Sequence, residues 1–389
     1  MNEAIEELLT RGVQEILPSK KGLADLMAKR KISLYQGFDP SSAHLHLGNL
    51  IGVRKLAQFQ KLGHKVIFLV GDFTGMIGDP TDKSAARKKM TKEEVLENAM
   101  GWKKQIENVL KFNGPNAAEI KYNSEWLAKL NFGEILELAG NFTVQQMIER
   151  DFFQERIKKD LPIRLPEFLY PVMQGYDSIV MGVDLEIGGN DQLFNMLAGR
   201  TLMKALKNKE KFVLTMKLLA DPTGKKMGKT EGNTINLTDK PDDMFGKIMS
   251  LPDSLIEPGV ELLTDLQPEA IANKNPLDSK KALAFEIVKQ IHGRTGAENA
   301  RREFERVFQK KDLPSDMPIV SVKEESLPLL DLVFATKGIA SRSESKRLIG
   351  QSAIEVNGKV MTDPNEEVRI KNDVVIRIGK TRFFKIKKK

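Results

Sequence analysis

Gly224-Lys-Lys-Met-Gly-Lys-Thr-Glu-Gly-Asn233 puts three lysines and a threonine on one glycine-rich loop. Such a loop can close on a polyphosphate with several cations at once; it also reads as a solvated basic turn. A second stretch far from it, Tyr35-Gln-Gly-Phe-Asp-Pro-Ser-Ser-Ala-His-Leu-His-Leu-Gly-Asn-Leu50, reads as a strand end, a loop and the start of a helix. Ile32 to Tyr35 is apolar and partly β-branched, and Gly37, Asp39, Pro40, Ser41 and Ser42 are loop chemistry. From His46 on, Leu50, Val53, Leu56 and Ala57 fall at helical spacing, and Gly63 follows as a stop. His46, Gly48 and Asn49 then occupy a first helical turn. The N–H groups and positive dipole end of such a turn favour phosphate, and Gly48 has no side chain to hold a ligand away. Alone, the stretch is equally an ordinary strand–loop–helix with a polar cap.

Three further sets carry polar groups at telling places. Tyr170, Gln174 and Asp177 are spaced i, i+4, i+7 and share one face of a helix over 166–181, amid apolar residues. They are either that helix's solvent face or a lining. Gly188-Gly-Asn-Asp-Gln192 follows a strand at Val183 to Ile187. A carboxylate there can hold a ribose diol, and the glycines admit a flat ring; a plain turn is the alternative. Asp79 closes the glycine-rich loop Gly71 to Pro80, where it can equally be a turn aspartate before proline.

The elements that must hold these groups alternate. Lys65 to Val70 contains a continuous apolar run, as in a buried parallel strand. Thr91 and Glu94 form a capping box for a helix to about Phe112, and Ala118 to Tyr122 is a strand. Helices are expected at 132–139, 143–150 and 190–207. Alternating strand and helix predicts an α/β, doubly wound parallel sheet of Rossmann-like type, with its ligand at the carboxyl ends of the strands. From about Asn233 the pattern turns helical, at 240–249, 253–264, 278–292 and 295–309. Residues 310–326 read as a polar linker. The rest, from about Leu327, is short helices followed by alternating β residues.

Composition narrows the class. The 389 residues suffice for two to three domains, and 41% hydrophobic content for sizeable cores. With no cysteine, a disulfide framework and a cysteine-ligated metal are excluded; four scattered histidines argue against zinc, so no metal ligands are assigned. No apolar run reaches membrane-spanning length and no leader is evident, so a soluble, cytoplasmic protein with no membrane partner is expected. The formal charge is +8. Residues 331–389 hold 14 Lys+Arg and 7 Asp+Glu, a net +7 of that total, which favours an anionic partner such as RNA.

His46-Leu47-Gly48-Asn49 and Lys226-Met227-Gly228-Lys229-Thr230 together resemble the HIGH and KMSKS signatures of class I aminoacyl-tRNA synthetases. With Tyr35-x-Gly-Phe-Asp-Pro, Ile77-Gly-Asp-Pro80, Tyr170-x3-Gln174-x2-Asp177 and Gly188-Gly-x-Asp-Gln192 in order, the chain resembles the bacterial type of tyrosyl-tRNA synthetase along essentially its whole length. The resemblance implies that Tyr35 and Asp177 bond the phenol of L-tyrosine. Asp79, Tyr170 and Gln174 would hold its α-ammonium, and Gln192 would sit near its carboxylate. It places Asp39, Ser41, His46, Gly48, Asn49, Gly189, Asp191 and Met227 at ATP, which would carry Mg²⁺. Lys83, Arg87, Lys226, Lys229 and Thr230 would contact pyrophosphate. It implies a catalytic nucleotide-binding domain over 1–232, a helical anticodon-binding domain over 233–312 and a small α+β RNA-binding domain over 327–389, similar to a module of a ribosomal small-subunit protein. tRNA-Tyr would be the partner. A homodimer would pair through helices around 125–185. The sequence departs from the family pattern at Asn49, where HIGH ends in histidine, and at Gln36, where a small residue is common near the ribose.

Overall fold

The computed structural model describes residues 3–79, 90–220, 234–272, 274–309, 317–339, 341–370, 373–379 and 382–388. It divides into two compact units, residues 1–298 and 299–389.

The first unit is built on a six-stranded sheet of β1 (Val13–Leu17), β2 (Ser33–Phe38), β3 (Lys65–Val70), β4 (Glu119–Tyr122), β5 (Leu185–Gly189) and β6 (Phe212–Met216), in the order β1-β6-β5-β2-β3-β4. From β2 to β6 all pairings are parallel, while β1 runs antiparallel along β6. The parallel sheet that the sequence pattern predicts is present from β2 to β6, while neither β1 nor β6 stands out in that pattern. β1 is short and carries Gln14 and Glu15, and it owes its existence to β6, some 200 positions away in the chain, which β5 holds from the other side. The strand order reverses between β2 and β5, so their carboxyl ends open a crevice. Three helices frame it: α1 (Leu47–Lys61), α2 (Leu165–Met181) and α3 (Leu193–Lys207). The close approach of α2 to α3 depends on Gly175, where a Cβ would lie 3.1 Å from the backbone nitrogen of Gly199.

Local signals are followed closely in places. Thr91 and Glu94 make the expected capping box, but the helix stops at Ala99 and restarts at Trp102. The helices at 240–249 and 253–264 are present as Pro241–Met249 and Ile256–Leu263, and those at 278–292 and 295–309 lie within Pro276–Phe304, divided as expected at Gly293, whose φ is 78°. Within the first unit this helical part packs on the α/β part: Arg54 of α1 bonds Asp265 at 2.6 Å, and Arg11 donates to Val260 O and Thr264 O at 3.0 Å each.

Asp184 ties the start of the sheet together. Its carboxylate accepts from Arg30 at 2.9 and 2.8 Å, from the N–H of Ser33 at 3.0 Å and from Lys209 at 2.8 Å. Burial raises its pKa, but the Arg30, Lys209 and Ser33 donors outweigh burial and hold it down at about 2. A depressed carboxylate stabilises the fold above its unfolded pKa and loses that contribution as pH falls toward its folded one. Asp184→Asn is expected to cost about 2 kcal/mol at pH 7, a difference that shrinks below about pH 4. Urea melts of both proteins at pH 7 and pH 3.5 check this.

The second unit holds a five-stranded sheet of order β10-β9-β12-β13-β7: β7 (Ile319–Val322), β9 (Ile354–Val356), β10 (Lys359–Val360), β12 (Val374–Ile378) and β13 (Arg382–Lys388). β8 (Ser326–Pro328) pairs with β11 (Glu367–Arg369). Helices α4 (Leu329–Ala335) and α5 (Arg342–Gly350) cover a core that includes Leu332, Val333, Ile349, Ile354, Ile376 and Ile386. The structure corrects the linker expected at 310–326. Ile319 to Val322 runs parallel to β13, Lys385 to Lys388 being its register partners. The nearby Pro318 and polar neighbours mask a four-residue strand that only its partner stabilises.

Candidate active site

The carboxyl ends of β2, β3 and β5, with α2 beside them, gather one set of buried polar groups. Tyr35 is fully buried against Ile67, Leu69 and Val183, with Trp126 and Met181 packed alongside. Its hydroxyl shares a 3.0 Å hydrogen bond with Ser178 and donates to Gln174 O at 3.4 Å. Asp177 is 2% exposed and accepts from Trp126 Nε1 at 2.7 Å and Asn123 Nδ2 at 3.3 Å. Burial pushes its carboxyl well above the usual range, against the pull of those two donors. Burial likewise holds Tyr35 a neutral phenol, with the charges of Glu186 and Asp177 acting in the same direction.

Tyr170 is 6% exposed, so the polar face of α2 points into the protein and the solvent-face reading is set aside. Its hydroxyl donates to Asp39 Oδ2 at 2.7 Å. Asp39 Oδ1 accepts from Thr74 at 2.7 Å, and Thr74 in turn accepts from Asn123 at 3.1 Å. One hydrogen-bonded network therefore runs from Asp39 to Asp177. It draws Asp39, assigned to ATP from the sequence, to the side of Tyr170. Gly71 makes this possible, since a Cβ there would overlap Asp39 Oδ1. Asp79 and Gln192 bond each other directly, and Asn195 donates to Gln192 Oε1 at 3.0 Å. Gln174 donates to Glu186 Oε1 at 2.9 Å.

A second set of polar groups begins at α1. His46 is its N-cap: the ring accepts from the N–H of Gly48 at 3.1 Å, and Asn49 Oδ1 accepts from the N–H of His46 at 3.0 Å. This capping box takes the Gly48 N–H for the imidazole rather than leaving it open. It also commits the oxygen of Asn49, whose amide N–H₂ is the end left as a donor. A Cβ on Gly48 would lie 2.9 Å from His46 Cε1, so the cap itself requires the glycine. Ser41 donates its N–H to Asp39 O at 2.8 Å, which tightens the loop into α1. A Cβ on Gly189 would lie 2.5 Å from Asp191 Oδ1, which places that carboxylate over the glycine backbone. The Gln36 side chain lies against Gly52 of α1, and its Oε1 has no partner among the described residues.

Lys83, Arg87, Lys226, Met227, Lys229 and Thr230 lie outside the described residues. The chain on both sides of the lysine-bearing stretch is nonetheless at the site. Met216 pairs with Gly189 across β5 and β6. Leu47 donates to Ile235 O at 3.1 Å and Leu237 to Leu45 O at 2.8 Å, beside the His46 cap.

Sequence reasoning missed Asn123, Trp126, Thr74, Ser178, Glu186, Lys211 and Arg150. The guanidinium of Arg150 lies over Phe152 at 4.3 Å and Phe194 at 4.8 Å. Burial lowers its pKa to about 10, with Asp79 and Tyr170 opposing, so it stays charged at pH 7. Asn123 stands just past a strand end, the one local sign that could have flagged it; the others are brought in by long-range contacts. Among the described residues no group of three or more His, Asp or Glu is placed to hold a metal ion.

Comparison with known proteins fits this geometry. Residues 27–309 match the family model of class I tRNA synthetases (W and Y), and residues 327–375 match the S4 domain. The tyrosine–tRNA ligase of Thermotoga maritima is 39% identical over 390 residues, covering 98% of this chain and 96% of that one. That of Moorella thermoacetica is 42% identical, covering 97% and 94%. The chain belongs to the bacterial-type tyrosyl-tRNA synthetases. It is accordingly a class I aminoacyl-tRNA synthetase, a ligase. Solved structures share the fold. A C-terminally truncated mitochondrial tyrosyl-tRNA synthetase of Aspergillus nidulans superposes with a TM-score of 0.67 at 22% identity, over 79% of this chain and 95% of that one. A tyrosyl-tRNA synthetase of Archaeoglobus fulgidus, solved with L-tyrosine, gives 0.60 at 22% identity, over 77% and 100%.

Proposed function

We propose that the chain activates L-tyrosine with ATP, giving tyrosyl-adenylate and pyrophosphate, and transfers tyrosine to the 3′ end of tRNA-Tyr. The observation that carries this reading is the buried pair Tyr35 and Asp177 at the end of a cleft whose other polar groups suit an α-amino acid. Buried groups that need a hydroxyl partner penalise a ligand lacking one, because they are then left unpaired. Asp79, Tyr170 and Gln174 supply one carboxylate and neutral oxygens for the α-ammonium. Gln192, bonded to Asp79, lies toward the substrate carboxylate.

That carboxylate is already ionised at pH 7, so the reaction needs no general base. One of its oxygens attacks the α-phosphorus in line, and pyrophosphate leaves with the electron pair of the broken P–O bond. Catalysis is then positioning and charge stabilisation. His46, Gly48 and Asn49 meet ATP at the start of α1, Asp191 and Gly189 meet its sugar and base, and Asp39 and Ser41 also face it. Lys83, Arg87, Lys226, Lys229 and Thr230 neutralise the leaving pyrophosphate. Mg²⁺ would accompany ATP and offset its phosphate charge.

The helical segment 233–312 reads the anticodon, and 327–389 binds RNA backbone. The enzyme works as a cytoplasmic homodimer. Support for pairing through 125–185 comes from apolar side chains exposed there, among them Phe132, Leu136, Val144 and Leu165. The test is charging of total tRNA with labelled amino acids: tyrosine alone should become acid-precipitable, and labelling by tryptophan or phenylalanine instead would overturn the reading.

A further inference from the structure

Glu186, Lys211 and Ser178 form a buried cluster behind the tyrosine site that the chemistry above leaves without a task. Glu186 is the register partner of Tyr35 across β5 and β2, and is 1% exposed. Lys211, just before β6, is fully buried, bonds Glu186 Oε2 and donates to Met196 O at 3.1 Å. Ser178 donates to the same Glu186 oxygen at 3.5 Å. Gly199 of α3 makes the room, since a Cβ there would overlap Lys211 Nζ. A buried ion pair is weak evidence for stability, because apolar replacements of like volume are often neutral or stabilising. What the cluster does present is one committed acceptor. Glu186 Oε1 faces Gln174 and accepts from its Nε2 at 2.9 Å.

A carboxylate accepts hydrogen bonds and donates none, and an ammonium donates and accepts none. With Nε2 of Gln174 committed to Glu186, the end of that amide left for a ligand is its oxygen, the end an ammonium requires. An amide free to turn over would offer N–H₂ part of the time. We propose that Glu186, held by Lys211, is a positioning residue that locks the Gln174 amide with its oxygen toward the substrate α-ammonium. The inference rests on the assignment of Gln174 to that ammonium.

Glu186→Gln keeps the shape but can offer Gln174 either a donor or an acceptor. Inhibition constants in the activation assay would be measured on the full chain for tyramine, which keeps the ammonium, and for 3-(4-hydroxyphenyl)propionate, which lacks it. Tyramine should weaken by about tenfold and the propionate by less than about twofold, since only a hydrogen bond to a charged group is lost. Equal weakening of both, or of neither, overturns the proposal. Should the single variant fold poorly, E186Q/K211M removes the charge pair together, and the same selective loss is expected of it. Gln174→Ala separates the two readings. If it leaves the preference for tyramine intact, the assignment of Gln174 is wrong. If it removes that preference while E186Q does not, Gln174 stands and the role of Glu186 falls.

Discussion

Asp177→Asn is expected to lower kcat/KM for tyrosine activation by about a hundredfold, on the order of 3 kcal/mol, while the free protein loses no stability. The two effects part because the carboxyl is placed against its own interests. It is buried at 2% exposure, and burial drives its pKa well above that of an exposed aspartate. A carboxyl whose folded pKa is raised favours the fold fully below its unfolded pKa, near 4, and loses that contribution as pH rises. The stability difference in favour of the D177N variant should therefore widen from about pH 4 upward. The effect on tyrosine has the opposite sign. An asparagine amide in that place must answer the Trp126 and Asn123 donors with one oxygen, and it faces the phenol as a weaker partner. Thermal melts across pH and steady-state kinetics on the same preparation check both. A variant destabilised at pH 7 with unchanged tyrosine kinetics would make Asp177 a structural residue only.

The second large effect separates activation from charging. A chain ending near residue 312 removes the whole five-stranded sheet, including β7, and with it the basic stretch 331–389 and its 14 Lys+Arg. None of the residues assigned to tyrosine or ATP lies beyond that point. Tyrosyl-adenylate formation should stay within about twofold, since nothing in the transition-state contacts is removed. Charging at subsaturating tRNA should fall by about two orders of magnitude, because lysines and arginines on phosphates supply counterion release. The salt dependence of residual tRNA binding should flatten by about one unit of slope for each phosphate no longer neutralised. A cut near Val320, within the stretch that reads as a linker in the sequence, would leave half of β7 attached. The pairing of Ile319 and Val320 with Lys385 and Ile386 rules that position out as a clean boundary.

What can be read from the sequence is what neighbouring residues decide. The start of α1 at His46, the box at Thr91 and Glu94, and the shared face of Tyr170, Gln174 and Asp177 follow from spacing along one helix, and each is present. What cannot be read depends on partners distant in the chain. β1 and β6 exist through each other and β5. Asp39 reads as a loop carboxylate, and nothing near it in the sequence shows that its oxygens accept from Thr74 and Tyr170, 35 and 131 positions away. Glu186 and Lys211 give no local sign either, since a glutamate in a strand and a lysine before one are ordinary until the fold seals them together. Gln36 stands out as a departure from the family pattern, and its side chain turns to Gly52 on the far side of the strand from Tyr35.

Selection of a phenol hydroxyl by buried partners, coupled to activation by ATP, is tested most directly by amino-acid-dependent exchange of labelled pyrophosphate into ATP. That assay measures the activation step alone, without tRNA. The full chain should support exchange with tyrosine, with phenylalanine and tryptophan at least about a hundredfold lower in kcat/KM, the cost of leaving buried polar groups unpaired. Exchange with phenylalanine or tryptophan as efficient as with tyrosine would contradict the account.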